Sequence, residues 1–134
     1  MISFPSSNPS KRILVVEDDK PMRDVLEIAL GNGGFQVVTA ADGNEALELA
    51  KLIHFDLVIT DMIMPGMEGI ETIMKLRAMA PKIRIIAISG GPPGGTGDVL
   101  PLAQTLGVSA VLRKPFKRET FIAAVRECLS PTSV

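Results

Sequence analysis

Five short apolar runs recur along the chain, at Ile13–Val16, Phe35–Val38, Leu57–Ile59, Ile83–Ile88 and Ala110–Leu112. They are largely aliphatic and continuous rather than alternating, the pattern of strands buried on both faces. Helical spacing separates them. Met22, Val25, Leu26, Ala29 and Leu30 fall at i, i+3, i+4, i+7 and i+8, and Gly31 to Gly34 stop that helix. Asp19 is placed to cap it, and Pro21 suits its first turn, where the missing N–H had no helical partner. Ala46, Ala50 and Ile53 mark a second helix. Ile70, Ile73, Met74 and Arg77 mark a third, closed by Pro81, and Phe121, Ile122, Val125, Cys128 and Leu129 mark the last. Strict alternation of strand and helix predicts an α/β fold, a doubly wound parallel sheet with helices on both faces.

The fourth unit departs from the pattern. Ser89-Gly-Gly-Pro-Pro-Gly-Gly-Thr-Gly is too rich in glycine and proline for a helix, which leaves Asp98–Leu106 as room for a short one. The Ser/Pro-rich start, residues 1–10, reads as a flexible leader and residues 131–134 as a tail, with one globular unit over 11–130. A chain of 134 residues fits one domain and can bury enough surface to need no disulfide or metal for its core.

Charge and cysteine content narrow the function. Lys and Arg number 14 against 15 Asp and Glu, so no basic field draws the chain to nucleic acid or an anionic membrane. The single cysteine, Cys128, excludes an intrachain disulfide framework and a cysteine-only zinc site. No apolar run approaches the ~20 residues of a membrane span. The start lacks the plan of a signal peptide, and the expected localisation is cytoplasmic.

Parallel strands bring their carboxyl ends to one edge, where ligands of such sheets bind. The residues just past each run therefore share that edge. The first run ends in Glu17, Asp18 and Asp19, the third in Thr60 and Asp61, the fourth in Ser89 and Gly90, and the fifth in Arg113, Lys114 and Pro115. Crowded carboxylates repel one another unless a cation is present, and an oxygen-only cluster favours a hard ion such as Mg²⁺. A lysine and a hydroxyl beside that ion suit a transferring phosphoryl group, whose transition state spreads negative charge over three oxygens. The chemistry is that of a site which accepts or cleaves a phosphoryl group.

Other polar residues have structural readings. Asp19 is a helix cap, Arg113 a solvated charge, and Lys20, Arg23, Asp24 and Glu27 an exposed helix face. His54 follows a helix and suits its C-terminal dipole, while Cys128 and the methionines read as packing residues.

Three stretches bear comparison with a known family: Ile13-Leu-Val-Val-Glu-Asp-Asp19, Asp56-Leu-Val-Ile-Thr-Asp-Met-Ile-Met-Pro-Gly-Met-Glu-Gly69, and Val111-Leu-Arg-Lys-Pro-Phe116. In residues, register and order, the chain from Lys11 to Leu129 resembles the receiver domain of two-component response regulators. The resemblance implies a flavodoxin-like sheet of strand order 2-1-3-4-5 with five helices. It implies that Asp61 is the phosphoacceptor, taking a phosphoryl group from a phosphohistidine on a sensor histidine kinase or histidine phosphotransferase. Asp18 and Asp61 would bind Mg²⁺ directly, with the main-chain carbonyl of Ile63 as a further ligand and Glu17 acting through water. Ser89 would be the switch hydroxyl and Lys114 the partner of the phosphoryl oxygens, with a cis bond before Pro115. Phosphorylation would then switch the surface around strand four, the fourth helix and strand five, which a downstream effector reads.

The sequence also departs from the family. The switch aromatic expected three residues before the lysine is Val111, and the chain contains no Tyr or Trp. The Gly/Pro-rich segment after Ser89 would then take over as the moving part. Ile63 and Gly91 stand where some relatives carry polar side chains that orient a hydrolytic water, which implies slow self-dephosphorylation. The expectation is a phosphoacceptor rather than an enzyme, with no direct contact to nucleic acid or membrane. A degenerate receiver binding its partner without phosphorylation, and a Mg²⁺-dependent phosphatase, are the competing readings.

Overall fold

The computed structural model describes residues 10–62, 68–90 and 104–130. Its elements are β1 (Arg12–Val16), α1 (Lys20–Asn32), β2 (Gln36–Ala40), α2 (Gly43–Leu52), β3 (Leu57–Asp61), α3 (Glu68–Met79), β4 (Arg84–Ser89), β5 (Ala110–Arg113) and α4 (Arg118–Leu129). The five strands form one sheet in the order β2-β1-β3-β4-β5, every neighbouring pair parallel. Strand order reverses beside β1, so the carboxyl ends of β1 and β3 flank the crevice of a doubly wound sheet.

Alternate residues of each strand feed two separate cores. Ile13, Val15, Ile59, Ile86 and Ile88 pack with Leu26 and Leu30 of α1 and Phe121 and Val125 of α4. Leu14, Val16, Val58, Ile85 and Ala87 pack on the other face with Ala46 of α2 and Ile73 and Leu76 of α3. Covering both faces is why the strand runs are continuously apolar. The central strands β1, β3 and β4 are almost wholly buried, whereas β2 and β5, which close the sheet at its edges, are only partly so.

Local signals set the element ends. Asp19 caps α1, its Oδ2 accepting from Met22 N at 3.2 Å. Asp42 does the same for α2 through Glu45 N at 2.8 Å, and Glu45 reaches back to Ala41 N at 2.7 Å. Gly33 ends α1, and Gly34 turns the chain into β2 at φ 91°, where a side chain would be strained.

Some expectations fall outside the described residues, and others need correction. Four helices lie among the described residues where five were expected. The proposed helix at 98–106 falls largely outside them; of its described residues, Gln104 and Thr105 are helical. Residues 1–9 and 131–134, assigned to leader and tail, also lie outside. Val25 and Met74, placed on the apolar stripes, are 60% and 56% exposed. Val25 sits about 100° around the helix from Leu26, beyond the strip that meets the sheet. His54 lies past the end of α2, exposed, with Nε2 3.6 Å from Asp56 Oδ1 rather than on the helix terminus.

Candidate functional site

The carboxyl edge of the sheet gathers the polar residues. Glu17 follows β1 and remains in the ladder, donating its N–H to Ala40 O at 3.0 Å. Asp61 closes β3 and lies in register with Ile88, one position before Ser89 on β4. Lys114 follows β5 and donates its N–H to Ser89 O at 2.8 Å. Backbone pairing thus carries four strand ends to one place.

Lys114 then crosses the edge. Its Nζ lies 2.9 Å from Asp61 Oδ2 and 3.4 Å from Glu17 Oε1. Both acids are buried, at 4% and 1% residual exposure, while Asp18 is exposed. Ser89 is fully buried, and its hydroxyl donates to Gly90 O at 3.3 Å. The peptide bond between Lys114 and Pro115 is cis.

One carboxylate oxygen from each of Glu17, Asp18 and Asp61 lies within 4.8 Å of the others. The donors are all hard oxygens and Asp18 among them is exposed, a set that fits a hydrated divalent cation. Electrostatics agree. Burial pushes the Glu17 carboxyl above its ordinary range; the Asp19 N–H bond opposes this, the Asp61 charge adds to it, Lys114 opposes it and Asp18 adds. Burial works against the Lys114 ammonium, but the bond and charge of Asp61, followed by those of Glu17, prevail and raise its pKa. One ammonium is shared by more acid than it can neutralise.

Close packing fixes the Asp61 backbone. Gly69, in the first turn of α3, lies so near β3 that a Cβ there would stand 2.3 Å from Asp61 O and 2.6 Å from Met62 O. Only glycine lets α3 start against the strand end that presents the acid.

Of the residues singled out from sequence, Glu17, Asp18, Asp61 and Lys114 form one cluster, and Ser89 sits on the adjoining strand end. Ile63 and Gly91 lie outside the described residues. Two side chains read as solvated are not. Arg113 is half-buried, and Arg23, also half-buried, donates from Nη1 to Glu17 O at 2.7 Å. Their signal was weak because helix periodicity places Arg23 beside exposed neighbours and says nothing of a carbonyl six residues back.

The family model of the response regulator receiver domain matches residues 13–126. The chain belongs to this family. Among its relatives, the DNA-binding response regulator MtrA of Mycobacterium tuberculosis is 35% identical over 116 residues, which cover 87% of this chain and 49% of MtrA. This receiver therefore spans about half the length of the curated relatives it matches. The chemotaxis protein CheY4 of Vibrio cholerae is 29% identical with a TM-score of 0.81, covering 90% of this chain and 99% of CheY4. The response regulator TrrA of Thermotoga maritima, solved in complex with Mg²⁺ and BeF, is 29% identical with a TM-score of 0.77, covering 89% and 99%. Among the described residues of the receiver, no helix is long and apolar enough to cross a membrane.

Proposed function

We propose that this receiver takes a phosphoryl group onto Asp61 from a phosphohistidine of a sensor histidine kinase or histidine phosphotransferase, in a Mg²⁺-dependent step. The observation that carries the reading is the ammonium of Lys114 at 2.9 Å from Asp61 Oδ2, beside two further carboxylates. A carboxylate oxygen of Asp61 attacks phosphorus, the P–N bond breaks, and the departing imidazole keeps the electron pair and takes a proton. Lys114 moves from the unphosphorylated carboxylate to the phosphoryl oxygens, where its charge offsets the negative charge gathered in transfer. Ser89 supplies a hydroxyl donor from the adjacent strand. Mg²⁺ would be held by Asp18 and Asp61, with Ile63 through its main-chain carbonyl and Glu17 through water, and would neutralise the crowded oxygens.

Receiver domains are in general not enzymes, and we assign this one the role of an acceptor that loses its phosphoryl group slowly. The receiver body runs over residues 11–130, and the setting we infer is the cytoplasm. Phosphorylation biases the surface around β4, the chain that follows it and β5, which an effector reads. MtrA binds DNA by its name; we assign no nucleic-acid contact to the receiver itself.

The test is incubation with Mg²⁺ and a small phosphodonor, followed by intact mass. A single stable addition, lost in Asp61→Asn, supports the reading. Continuous turnover of the donor would favour a phosphatase. No addition to the wild type would favour a phosphorylation-independent binding module, the reading that Val111 in the aromatic's place keeps in contention.

A further inference from the structure

We infer that Arg23 is a positioning residue for the cation site, holding the turn that presents Asp18 and Glu17; this rests on the Mg²⁺-dependent reading above. The turn between β1 and α1 contains two of the three clustered acids in consecutive positions. Its fastening can be followed bond by bond. Glu17 N donates to Ala40 O at 3.0 Å, the last tie to the sheet on this side. The carboxylate of Glu17 accepts from Asp19 N at 3.2 Å, and Asp19 caps α1 through Met22 N. Asp19 O accepts from Arg23 N at 2.9 Å, closing the first helical turn.

That leaves the carbonyl of Glu17, which belongs to the peptide joining Glu17 to Asp18. Arg23 returns from one turn into α1 and donates to it from Nη1 at 2.7 Å. This bond sets the tilt of the peptide plane, and so the direction in which Asp18 leaves the backbone. Asp18 is the exposed member of the cluster, with its side chain beside that of Glu17 but not enclosed as Glu17 and Asp61 are. A neighbour held through the main chain does what burial does for Glu17 and Asp61. Arginine suits the task because its planar, always-charged fork gives a strong bond with little lost freedom. Partners of this kind, one step removed from the ion, typically change metal affinity by about 10- to 100-fold when removed.

The experiment is an NMR titration of the full chain with Mg²⁺, read at the amides of Asp18 and Asp19, for wild type, Arg23→Met and Arg23→Lys. Arg23→Met should bind Mg²⁺ about tenfold more weakly. Arg23→Lys, which keeps a donor of similar reach, should recover most of the loss. The ratio of wild type to Arg23→Met should persist in about 1 M salt, where exposed charges are screened within roughly 3 Å. Equal affinity in wild type and Arg23→Met would overturn the inference. So would a loss that disappears in high salt, since Arg23 would then act only as a distant charge. Failure of the wild type itself to bind Mg²⁺ would overturn the metal-dependent function along with it.

Discussion

Lys114 Nζ lies 2.9 Å from Asp61 Oδ2, joining two residues 53 positions apart. The same ammonium also reaches Glu17, so one cation holds two buried acids before any metal or phosphoryl group arrives. Removing it should take from both the one ammonium they share. Lys114→Met is expected to lose about 1–3 kcal/mol of stability without divalent ions. Saturating Mg²⁺ should return part of it. Urea unfolding with chelator and with Mg²⁺ measures both; equal stability of variant and wild type in chelator would refute the account.

The raised pKa of Glu17 gives a signed dependence on pH. The folded protein binds this proton more readily than the unfolded chain, so Glu17 costs nothing below its ordinary value of 4.5. As pH rises through that value and then through the higher folded pKa, stability is lost. Lys114 is protonated throughout that window and adds no slope, because its pKa is raised above 10.5. Glu17→Gln should therefore gain melting temperature relative to wild type at about pH 7 without Mg²⁺, and little or none at about pH 4. A difference that stays the same at both pH values would contradict the assignment.

Gly69 makes a steric prediction. Its added Cβ would meet main-chain oxygens, which cannot rotate aside as a flexible side chain would. Gly69→Ala should cost about 1–3 kcal/mol. Because the displaced atoms belong to Asp61 and Met62, phosphorylation by a small donor should slow as well. Gly31, where an added Cβ meets nothing within 4 Å, is the control. Gly31→Ala should leave phosphorylation unchanged.

The lifetime of the phosphoryl group should reflect Ile63, whose side chain cannot orient water. The wild type should keep its label through purification, and Ile63→Asn should shed it several-fold faster, as followed by intact mass over time. Rapid loss from the wild type would be the contrary result.

The switch should run through the chain after β4. Val111 packs with Leu106 and Val108 against the core on that face of the sheet, and position 111 holds no aromatic ring to rotate. Amide hydrogen exchange across residues 90–106 should change when a phosphoryl mimic is added. Equal protection in both states would count against this.

Much of the architecture was legible because the chain states it twice. Continuous apolar strands require two covered faces, and Ile13 and Leu14 do part to opposite cores. Asp19 was readable as a cap from its place before Pro21, and Glu17, Asp18, Asp61 and Lys114 from their positions at run ends. Val25, Arg23 and His54 were misplaced for one common reason. Periodicity describes one element at a time, whereas the exposure of Val25, the bond from Arg23 and the partner of His54 depend on where other elements stop.

Composition and pattern by themselves determined a parallel α/β sheet with its acids, hydroxyl and lysine at strand ends, since burial periodicity and strand polarity are local properties of the chain. Only the tertiary structure decided which of those groups meet. Ladder register brought Asp61 level with Ile88 and Lys114 against Ser89, and the missing side chain of Gly69 let α3 settle on the strand end. Distances between residues far apart in sequence come from packing, and the reach of Lys114 to Asp61 and of Arg23 to Glu17 O had no signature in one dimension.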